Sequence, residues 1–216
     1  PAHITTARDM AILAQAIIRD NPKYYPIYSE KEFTYNNIKQ GNRNALLYTD
    51  PSVDGLKTGH TEAAGYCLVA SSKRGNMRLI TAVMGTNSMQ ERADQTRALF
   101  SWGFSSYETI KPLTAGKVLG SAQVWFGSED QVTAGLDRDL SITLPRGQKD
   151  KVQAVTRLMP DLEAPIAKGQ KVGEVVVTLD GKTIATQPVV AMEAVEETNF
   201  VVRLWHHLKR FLSTLF

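Results

Sequence analysis

The run at positions 53–61 and the two apolar runs after it constrain this chain more than any other feature. The first run reads VDGLKTGHT, and the next two, at 65–71 and 77–84, read GYCLVAS and MRLITAVM. Apolar and β-branched composition over such lengths predicts strands, and the polar segment 73–76 between them predicts a hairpin turn. Asp54-Gly55 predicts a further turn just before Lys57. We therefore expect a small antiparallel layer that begins beside Lys57-Thr58-Gly59.

The tripeptide Lys57-Thr58-Gly59 has a chemical interpretation on such a strand. A glycine leaves one face of the strand open, so that the backbone of a substrate can lie along it. The lysine then places a cation beside the groove, and the threonine places a hydroxyl there. Because a tripeptide also occurs by chance, a solvated lysine at a strand end and an ordinary strand threonine stay open as alternatives.

An ordered set of motifs gives the tripeptide a family context. The chain carries TARDM at 6–10, NRN at 42–44, DGLKTGHTEAAGY at 54–66 and RLITAVMG at 78–85. This set resembles the low-molecular-mass penicillin-binding proteins, the D-alanyl-D-alanine carboxypeptidases of the penicillin-binding protein 5 and 6 type. The resemblance extends over essentially the whole chain. It implies part of an α/β penicillin-binding domain, of the β-lactamase and transpeptidase type, followed by a β-rich stalk domain.

The resemblance also implies roles for four consecutive residues. Lys57 would lie beside the nucleophile and contribute positive potential and proton relay. Thr58 would offer its hydroxyl to the carboxylate of the substrate, and Gly59 would give clearance for the substrate backbone. His60 would donate its backbone N–H to the oxyanion hole. In a second interpretation the imidazole of His60 titrates near the site, because histidine changes charge near neutral pH.

Arg43 and Arg92 are the candidate carboxylate clamps. A substrate that ends in D-alanine carries a terminal carboxylate, and guanidinium groups bind carboxylates in a two-pronged geometry. In the family that the chain resembles, arginines at these two motif positions lie near that carboxylate. The alternative for each residue is a structural ion pair or an exposed charge.

Two further motifs of the family do not occur in this chain. Neither S-x-x-K, which carries the serine nucleophile, nor S-x-N is present in the 216 residues. Tyr35-Asn36-Asn37 fits a Y-x-N variant, but it lies too close before Lys57 and we interpret it as coincidence. We expect the chain to be the C-terminal portion of a longer enzyme that begins before Pro1, and to be inactive without its nucleophile.

The first predicted segment, 1–106, combines helices with the strands. Thr6 and Asp9 predict a helix start, Asn21-Pro22 predicts its end, and positions 33–47 read as an irregular polar excursion. Ser88 and Glu91 form a capping box for a second helix. The predicted inner faces are Met10, Leu13, Ala14, Ile17 and Ile18 in the first helix, and Ala93, Thr96, Leu99 and Phe100 in the second.

The second predicted segment, 107–195, contains no convincing helix. Short strands are expected at 123–126, 141–144, 152–158, 174–179 and 188–192, and Asp180-Gly181 is a strong hairpin turn. Regular short strands with Gly and Pro turns favour a small β-sandwich. We expect no catalytic chemistry in this segment, because it contains no candidate catalytic set.

The third predicted segment, 196–216, is a terminal amphipathic helix. One face is apolar (Val201, Leu204, Trp205, Leu208, Phe211, Leu212, Leu215), and the other is polar and basic (Arg203, His206, His207, Lys209, Arg210, Ser213, Thr214). The segment is too short and too charged to span a bilayer. The pattern predicts an anchor that lies in the plane of the inner membrane, and a helix docked on the β domain is the alternative.

Charge and composition exclude several classes of function. Lys and Arg number 25 against 22 Asp and Glu, and the excess of three lies from Asn199 to the end, which argues against a nucleic-acid surface. Cys67 is the single cysteine, so no internal disulfide is possible, and we expect it to be buried. His206 and His207 are adjacent on a helix and cannot face one metal, so neither a metal nor another cofactor is implied.

These observations favour a serine-type carboxypeptidase of the periplasm, attached peripherally to the inner membrane. It would remove the terminal D-alanine from peptidoglycan pentapeptide, and β-lactams would acylate the same serine. A non-catalytic cell-wall or membrane-associated scaffold with a degenerate penicillin-binding fold is the main alternative. A β-lactamase is a weaker one, because the β domain and the terminal helix exceed what that task requires.

Overall fold

The computed structural model describes residues 4–199 and Trp205. The chain divides into two compact units, Pro1–Glu108 and Thr109–Phe216. The predicted terminal helix lies outside the described residues except for Trp205, whose side chain is exposed. None of the helices in the described part of the chain is long and apolar enough to cross a membrane.

The first helix of the first unit, α1, runs over Ala7–Asp20 as the capping pattern predicts. The Thr6 hydroxyl accepts a hydrogen bond from the backbone N–H of Asp9 at 3.1 Å, which satisfies one of the free donors at the helix start. Ala14 is fully buried on the inner face. Leu13 was expected there but is half exposed, because it lies about 100° around the helix from Ala14, outside the contact stripe.

Three antiparallel strands form the sheet of this unit, in the order β3 (Val53–Thr61), β4 (Gly65–Arg74) and β5 (Met77–Thr86). Because side chains alternate between the faces of a strand, the sheet has two buried faces. On one face Val69 packs with Ala14 of α1 and with Tyr25, in a cluster that also contains Leu56. The other face forms a second cluster, which contains Leu46, Leu47, Val53, Leu68, Ala70, Ala93 and Phe100.

The second long helix, α3 (Met89–Ser106), packs on that second face. Its predicted cap is confirmed, since the Ser88 hydroxyl accepts from the backbone N–H of Glu91 at 3.0 Å. The predicted Ala93, Thr96 and Phe100 are buried, whereas Leu99 is 42% exposed. The unexpected member of the inner face is Arg92, which is only 4% exposed.

The segment at 33–47 is more regular than the sequence suggested. It contains a hairpin of β1 (Glu32–Tyr35) and β2 (Ile38–Gly41), followed by the short helix α2 (Leu46–Thr49). Asn36 and Asn37 form the hairpin turn with φ of 50° and 59°. Asparagine tolerates this left-handed region, so two adjacent asparagines supply the turn that glycine usually provides.

The second unit is rich in strands, as predicted. Strands β10 (Val152–Leu158), β12 (Lys171–Leu179), β13 (Lys182–Ala191), β8 (Gln131–Gly135), β7 (Val118–Trp125) and β11 (Leu162–Glu163) form a six-stranded sheet in that order. Strands β6 (Tyr107–Leu113) and β9 (Leu140–Pro145) form a second sheet.

The sequence predicted some of the strands and turns of this unit. Asp180 and Gly181 have φ of 48° and 77° and join β12 to β13, which confirms the predicted hairpin. Strand β10 has the predicted bounds. Strands β6, β8 and β11 were not predicted, because β8 reads QVTAG, β11 has only two residues, and β6 contains a proline. Such sequences give a weak strand pattern.

Candidate active site

The candidate groove runs along β3, which is an edge strand. Among the described strands β3 pairs with β4 alone, so no strand pairs with its other edge. Such an edge is the surface on which an extended peptide can pair. Lys57 and Gly59 lie opposite Val69 and Cys67, and their side-chain positions therefore share the face that packs on α1.

Thr58 and His60 occupy the other face, opposite Leu68 and Tyr66. The His60 ring stacks on the Tyr66 ring with centroids 4.0 Å apart. The strand therefore presents the hydroxyl of Thr58 and the ammonium of Lys57 on opposite sides of the same edge. Neither the oxyanion-hole role nor the titrating role of His60 is tested by this geometry, and both stay predictions.

Gly59 leaves space that the fold itself does not need. A Cβ added there would meet no atom closer than the Cβ of Cys67 at 3.9 Å, which is ordinary contact, and its φ lies outside the left-handed region. Neither packing nor backbone conformation therefore requires a glycine. A glycine inside a strand weakens the strand and often marks close approach of another backbone, which is consistent with the predicted clearance for substrate.

Three cations line one cavity of about 500 Å³ beside the strand. Lys57 lies on β3, Arg43 lies in the loop before α2, and Arg92 lies in the first turn of α3. Among the described residues, no carboxylate lines this cavity. Three positive groups around one cleft create a field that concentrates anions, so the arrangement suits a carboxylate.

Arg92 also forms hydrogen bonds that connect two segments of the backbone beside the cavity. Its guanidinium donates to the carbonyl of Arg43 at 3.1 Å and to the carbonyl of Gly59 at 3.5 Å. It also lies over the Tyr66 ring, 5.8 Å from the centroid. Burial lowers the pKa of the Arg92 guanidinium, and the nearby charge of Arg43 adds to that effect. Arg92 is buried and its hydrogen-bond partners are backbone carbonyls, so the alternatives of an ion pair or an exposed charge do not describe it, and its clamp role stays a prediction. Arg43, by contrast, is exposed.

A second cavity of about 680 Å³ lies along the same strand and is mainly apolar. Met10 of α1, Val69 of β4 and Met84 of β5 line it together with Lys57 and Gly59. Cys67 also lines it and is partly exposed, so the expectation of a buried cysteine was wrong. The reason is its position near the start of β4, which lies at the cavity rather than in either buried cluster.

The Lys57 side chain is exposed at the junction of the two cavities. Its ammonium donates to the carbonyl of Thr58 at 2.5 Å. Within the described residues no group of three or more His, Cys, Asp or Glu side chains could hold a metal ion. The structure thus brings Lys57, Thr58, Gly59 and His60 together with both arginines, while their catalytic and binding roles stay predictions.

Sequence reasoning missed a polar cluster just before Lys57. Asp54 and Gly55 were predicted to form a turn, but both lie within β3. The Asp54 carboxylate accepts two bonds from Arg78, each 2.8 Å, and one from the Tyr25 hydroxyl at 3.0 Å. A spacing of 24 residues between Asp54 and Arg78 gives no local signal, so only the strand pairing could have shown this pair.

Comparison with known proteins places this geometry in a family. Residues 1–88 match the family profile described as D-alanyl-D-alanine carboxypeptidase, and residues 107–197 match that described as penicillin-binding protein 5, C-terminal domain. The chain belongs to the low-molecular-mass penicillin-binding proteins. Membership of this carboxypeptidase family confirms the resemblance drawn from the ordered motifs.

Individual relatives agree with this assignment. The chain is 46% identical over 207 residues to D-alanyl-D-alanine carboxypeptidase DacA of Escherichia coli K12, covering 95% of this chain and 51% of the relative. It is 45% identical over 219 residues to DacA of Haemophilus influenzae, covering 100% of this chain and 56% of the relative. The chain thus spans about half the length of the curated relatives it matches.

Solved structures show the same likeness. The crystal structure of penicillin-binding protein 5 from Haemophilus influenzae aligns with a TM-score of 0.76 at 48% identity, covering 89% of this chain and 57% of that one. Penicillin-binding protein 6B from Escherichia coli aligns with a TM-score of 0.59 at 34% identity, covering 87% of this chain and 50% of that one. A penicillin-binding α/β unit followed by a β-rich unit is therefore the fold of this family member.

Proposed function

We propose that the whole protein is a serine-type D-alanyl-D-alanine carboxypeptidase that removes the terminal D-alanine from peptidoglycan pentapeptide. The observation that carries this proposal is the edge strand with Lys57, Thr58 and Gly59 beside a cavity lined by three cations. The names of the relatives support the same reaction.

The proposed reaction divides its tasks among the residues of this edge. The peptide ending in D-Ala-D-Ala pairs along β3, where Gly59 leaves room for its backbone. Arg43, Arg92 and the Thr58 hydroxyl hold the terminal carboxylate. Lys57 stabilises charge that develops as a serine attacks the carbonyl, and the backbone N–H of His60 donates to the oxyanion.

The serine nucleophile is proposed to come from residues of the whole protein outside these 216. Attack forms an ester, D-alanine leaves with the proton taken from the serine, and water then hydrolyses the ester. A β-lactam would acylate the same serine, because its strained amide occupies the position of the D-Ala-D-Ala bond. The 216 residues thus contribute the binding edge and the electrostatics of the site.

Peripheral attachment to the periplasmic face of the inner membrane is part of the same proposal. Support comes from the amphipathic pattern at 196–216, in which Arg203, Lys209 and Arg210 are unopposed by acids after position 199. Each basic residue near an anionic surface contributes about 1 kcal/mol. Sedimentation with anionic vesicles should therefore retain the whole protein and lose a version that ends at Asn199. Equal retention would favour a helix docked on the protein.

The alternative function is a cell-wall scaffold that binds muropeptide without cleaving it. The same edge strand and cations would then serve recognition alone. Release of D-alanine separates the two functions, because a scaffold binds the peptide and releases none.

The test uses two peptides that differ at one group. The whole protein should release D-alanine from a pentapeptide with a free terminal carboxylate. The same peptide amidated at its C-terminus should react at least ~10-fold more slowly, since the carboxylate supplies charge-assisted hydrogen bonds. Arg43→Gln should reduce this preference. No release from either peptide would exclude the enzyme, and equal rates would exclude the clamp.

A further inference from the structure

We infer that Asp54 is a positioning residue that holds a β-bulge and thereby selects the face on which Lys57 lies. The inference rests on the proposed function for its kinetic consequence. Its structural part, the register of β3 against β4, stands on the pairing of the two strands and can be measured separately.

The bulge is visible in the strand register. Val53 lies opposite Ser72, but Gly55 lies opposite Ser71, so two steps on β3 match one step on β4. Asp54 is therefore the additional residue of the pair. A bulge of this kind inserts one residue into one strand and shifts every later residue relative to its partner.

The shift decides which way the lysine points. Beyond the bulge Lys57 lies opposite Val69, which packs on the α1 face. Without the extra residue the count from Val53 would bring Lys57 opposite Leu68, whose side chain belongs to the α3 face. Because the side-chain period of a strand is two, a slip of one residue exchanges the two faces. Lys57 and Thr58 would then exchange sides.

The carboxylate of the bulged residue is held by residues of two other elements. Arg78 of β5 forms two 2.8 Å bonds to it, and the same guanidinium donates to the hydroxyl of the fully buried Ser71. Tyr25, in the 3₁₀ helix Tyr25–Ser29, donates its hydroxyl at 3.0 Å. The side chains of Asp54 and Arg78 are 31% and 26% exposed, so water does not screen the pair fully.

A second contact fixes the backbone next to the bulge. The side-chain Nδ2 of Asn44, a residue only 1% exposed, donates to the carbonyl of Gly55 at 3.1 Å. A Cβ at Gly55 would come within 2.6 Å of the Tyr25 hydroxyl. A larger residue at position 55 would therefore clash with the tyrosine that bonds Asp54. Asn44 also follows Arg43 directly, which links the strand to the loop of the candidate clamp.

The chain offers a matched control pair. Arg74 and Asp50 form a second Arg–Asp ion pair at 3.0 Å, also 24 residues apart, but on the other side of the bulge and with Arg74 47% exposed. Loss of that pair should therefore leave the later register unchanged. Asp54→Asn and Arg78→Gln are therefore the test variants, and Asp50→Asn and Arg74→Gln are the controls.

The register has a direct chemical reporter. A Cβ at position 59 would lie 3.9 Å from the Cβ of Cys67, close to the separation of about 3.8 Å found in disulfides. Gly59→Cys in the whole protein should therefore form a disulfide with Cys67 on mild oxidation. We expect the same bond with the control substitutions and a clear loss of its yield with Asp54→Asn or Arg78→Gln. An unchanged yield would overturn the inference.

Kinetics then show whether the register acts through Lys57. Asp54→Asn should slow acylation by a fluorescent penicillin roughly 10- to 100-fold, since misplacement of a reacting group by about 1 Å can cost 100-fold. Added to Lys57→Ala, the same substitution should have a smaller further effect than in the wild type, because part of its cost acts through Lys57, whereas a general loss of stability would add fully in both backgrounds. Additive losses, or wild-type rates for Asp54→Asn, would overturn the positioning role.

A different outcome bears on the proposed function. If the wild-type protein is never acylated, the proposed function is refuted, while the disulfide result still decides the register.

Discussion

The two units differ most in how their apolar side chains are covered. In the β-rich unit, sixteen buried residues form one cluster, whereas the first unit divides its buried residues between clusters of seven and four. Among the described residues, twelve large apolar side chains are exposed in the first unit and five in the second. One unit therefore closes its own core, and the other leaves apolar surface open.

This difference follows the division of tasks that we propose. The first unit carries the edge strand, the three cations and the two cavities described above. Where exposed apolar side chains form a contiguous patch, the patch marks a surface that binds something else. The following predictions test this contrast, from the largest expected effect to the smallest.

Separated from each other, the units should behave differently on folding. A polypeptide of residues 107–199 should unfold in a single cooperative transition, because its core is contiguous. A polypeptide of residues 1–108 should show no such transition, since two small clusters do not offset the entropy of ordering the chain. Thermal denaturation followed by circular dichroism and limited proteolysis measure both. A cooperative transition in the first polypeptide would remove the contrast.

Core truncation should affect the second unit strongly. Leu136 is fully buried in the cluster, and Leu136→Ala should lower the free energy of unfolding of residues 107–199 by about 2–5 kcal/mol. Val155→Ala, at a side chain that is 53% exposed, is the matched control and should change it by less than about 0.5 kcal/mol. Equal effects in urea denaturation would show that the cluster is not the stabilising core.

Removal of the Lys57 ammonium should affect chemistry and leave the fold intact. In the whole protein Lys57→Ala should slow acylation by penicillin about 100- to 1000-fold, because loss of one preorganised group that stabilises developing charge typically costs about 2.7–4 kcal/mol. Lys73→Ala, at an exposed lysine of β4, should acylate at the wild-type rate. A wild-type rate for Lys57→Ala would exclude the residue from the mechanism.

Alkaline pH should destabilise the first unit through Tyr25. Burial raises the pKa of the Tyr25 phenol to about 12 from its ordinary value of 10.0. A raised pKa gives stability that is complete below pH 10 and is lost as pH rises through the folded value. A pKa of about 12 in place of 10.0 corresponds to about 2.7 kcal/mol of free energy of unfolding. All seven tyrosines precede Thr109, so the second unit carries none.

The matched variant for this prediction is Tyr25→Phe, which keeps the ring and removes the ionising group. In the whole protein the wild type should lose stability to urea between pH 10 and 12 more steeply than the variant does. Parallel profiles for the two proteins would show that Tyr25 does not ionise in that range, or that its burial does not persist in solution.

Local chemistry explains which parts of the fold were predictable. The starts of the two long helices were predictable because Thr6 and Ser88 each accept a hydrogen bond from the backbone N–H three residues later in the sequence. The turn at Asp180-Gly181 was found because only a few residues adopt positive φ readily. The turn assigned to Asp54-Gly55 was wrong, because the same residue types also occur in a bulge, and a bulge depends on the partner strand.

The candidate site was predictable to a similar degree. Lys57, Thr58, Gly59 and His60 are contiguous, and the motif set drew attention to Arg43 and Arg92. The burial of Arg92 and its bonds to two carbonyls were not predictable, because they join residues 33 and 49 positions away. The Asp54–Arg78 pair was not predicted for the same reason, since it depends on strand register and not on local sequence pattern.

The most direct test of the account is the intact mass of the 216-residue chain after incubation with a β-lactam. A binding edge with cations can position the ligand, but an ester requires a nucleophilic serine. We predict no covalent adduct on the 216 residues and one adduct per molecule on the whole protein, mapped by protease digestion outside the 216 residues. A stable adduct within the 216-residue chain would contradict the account and identify a nucleophile among its own residues.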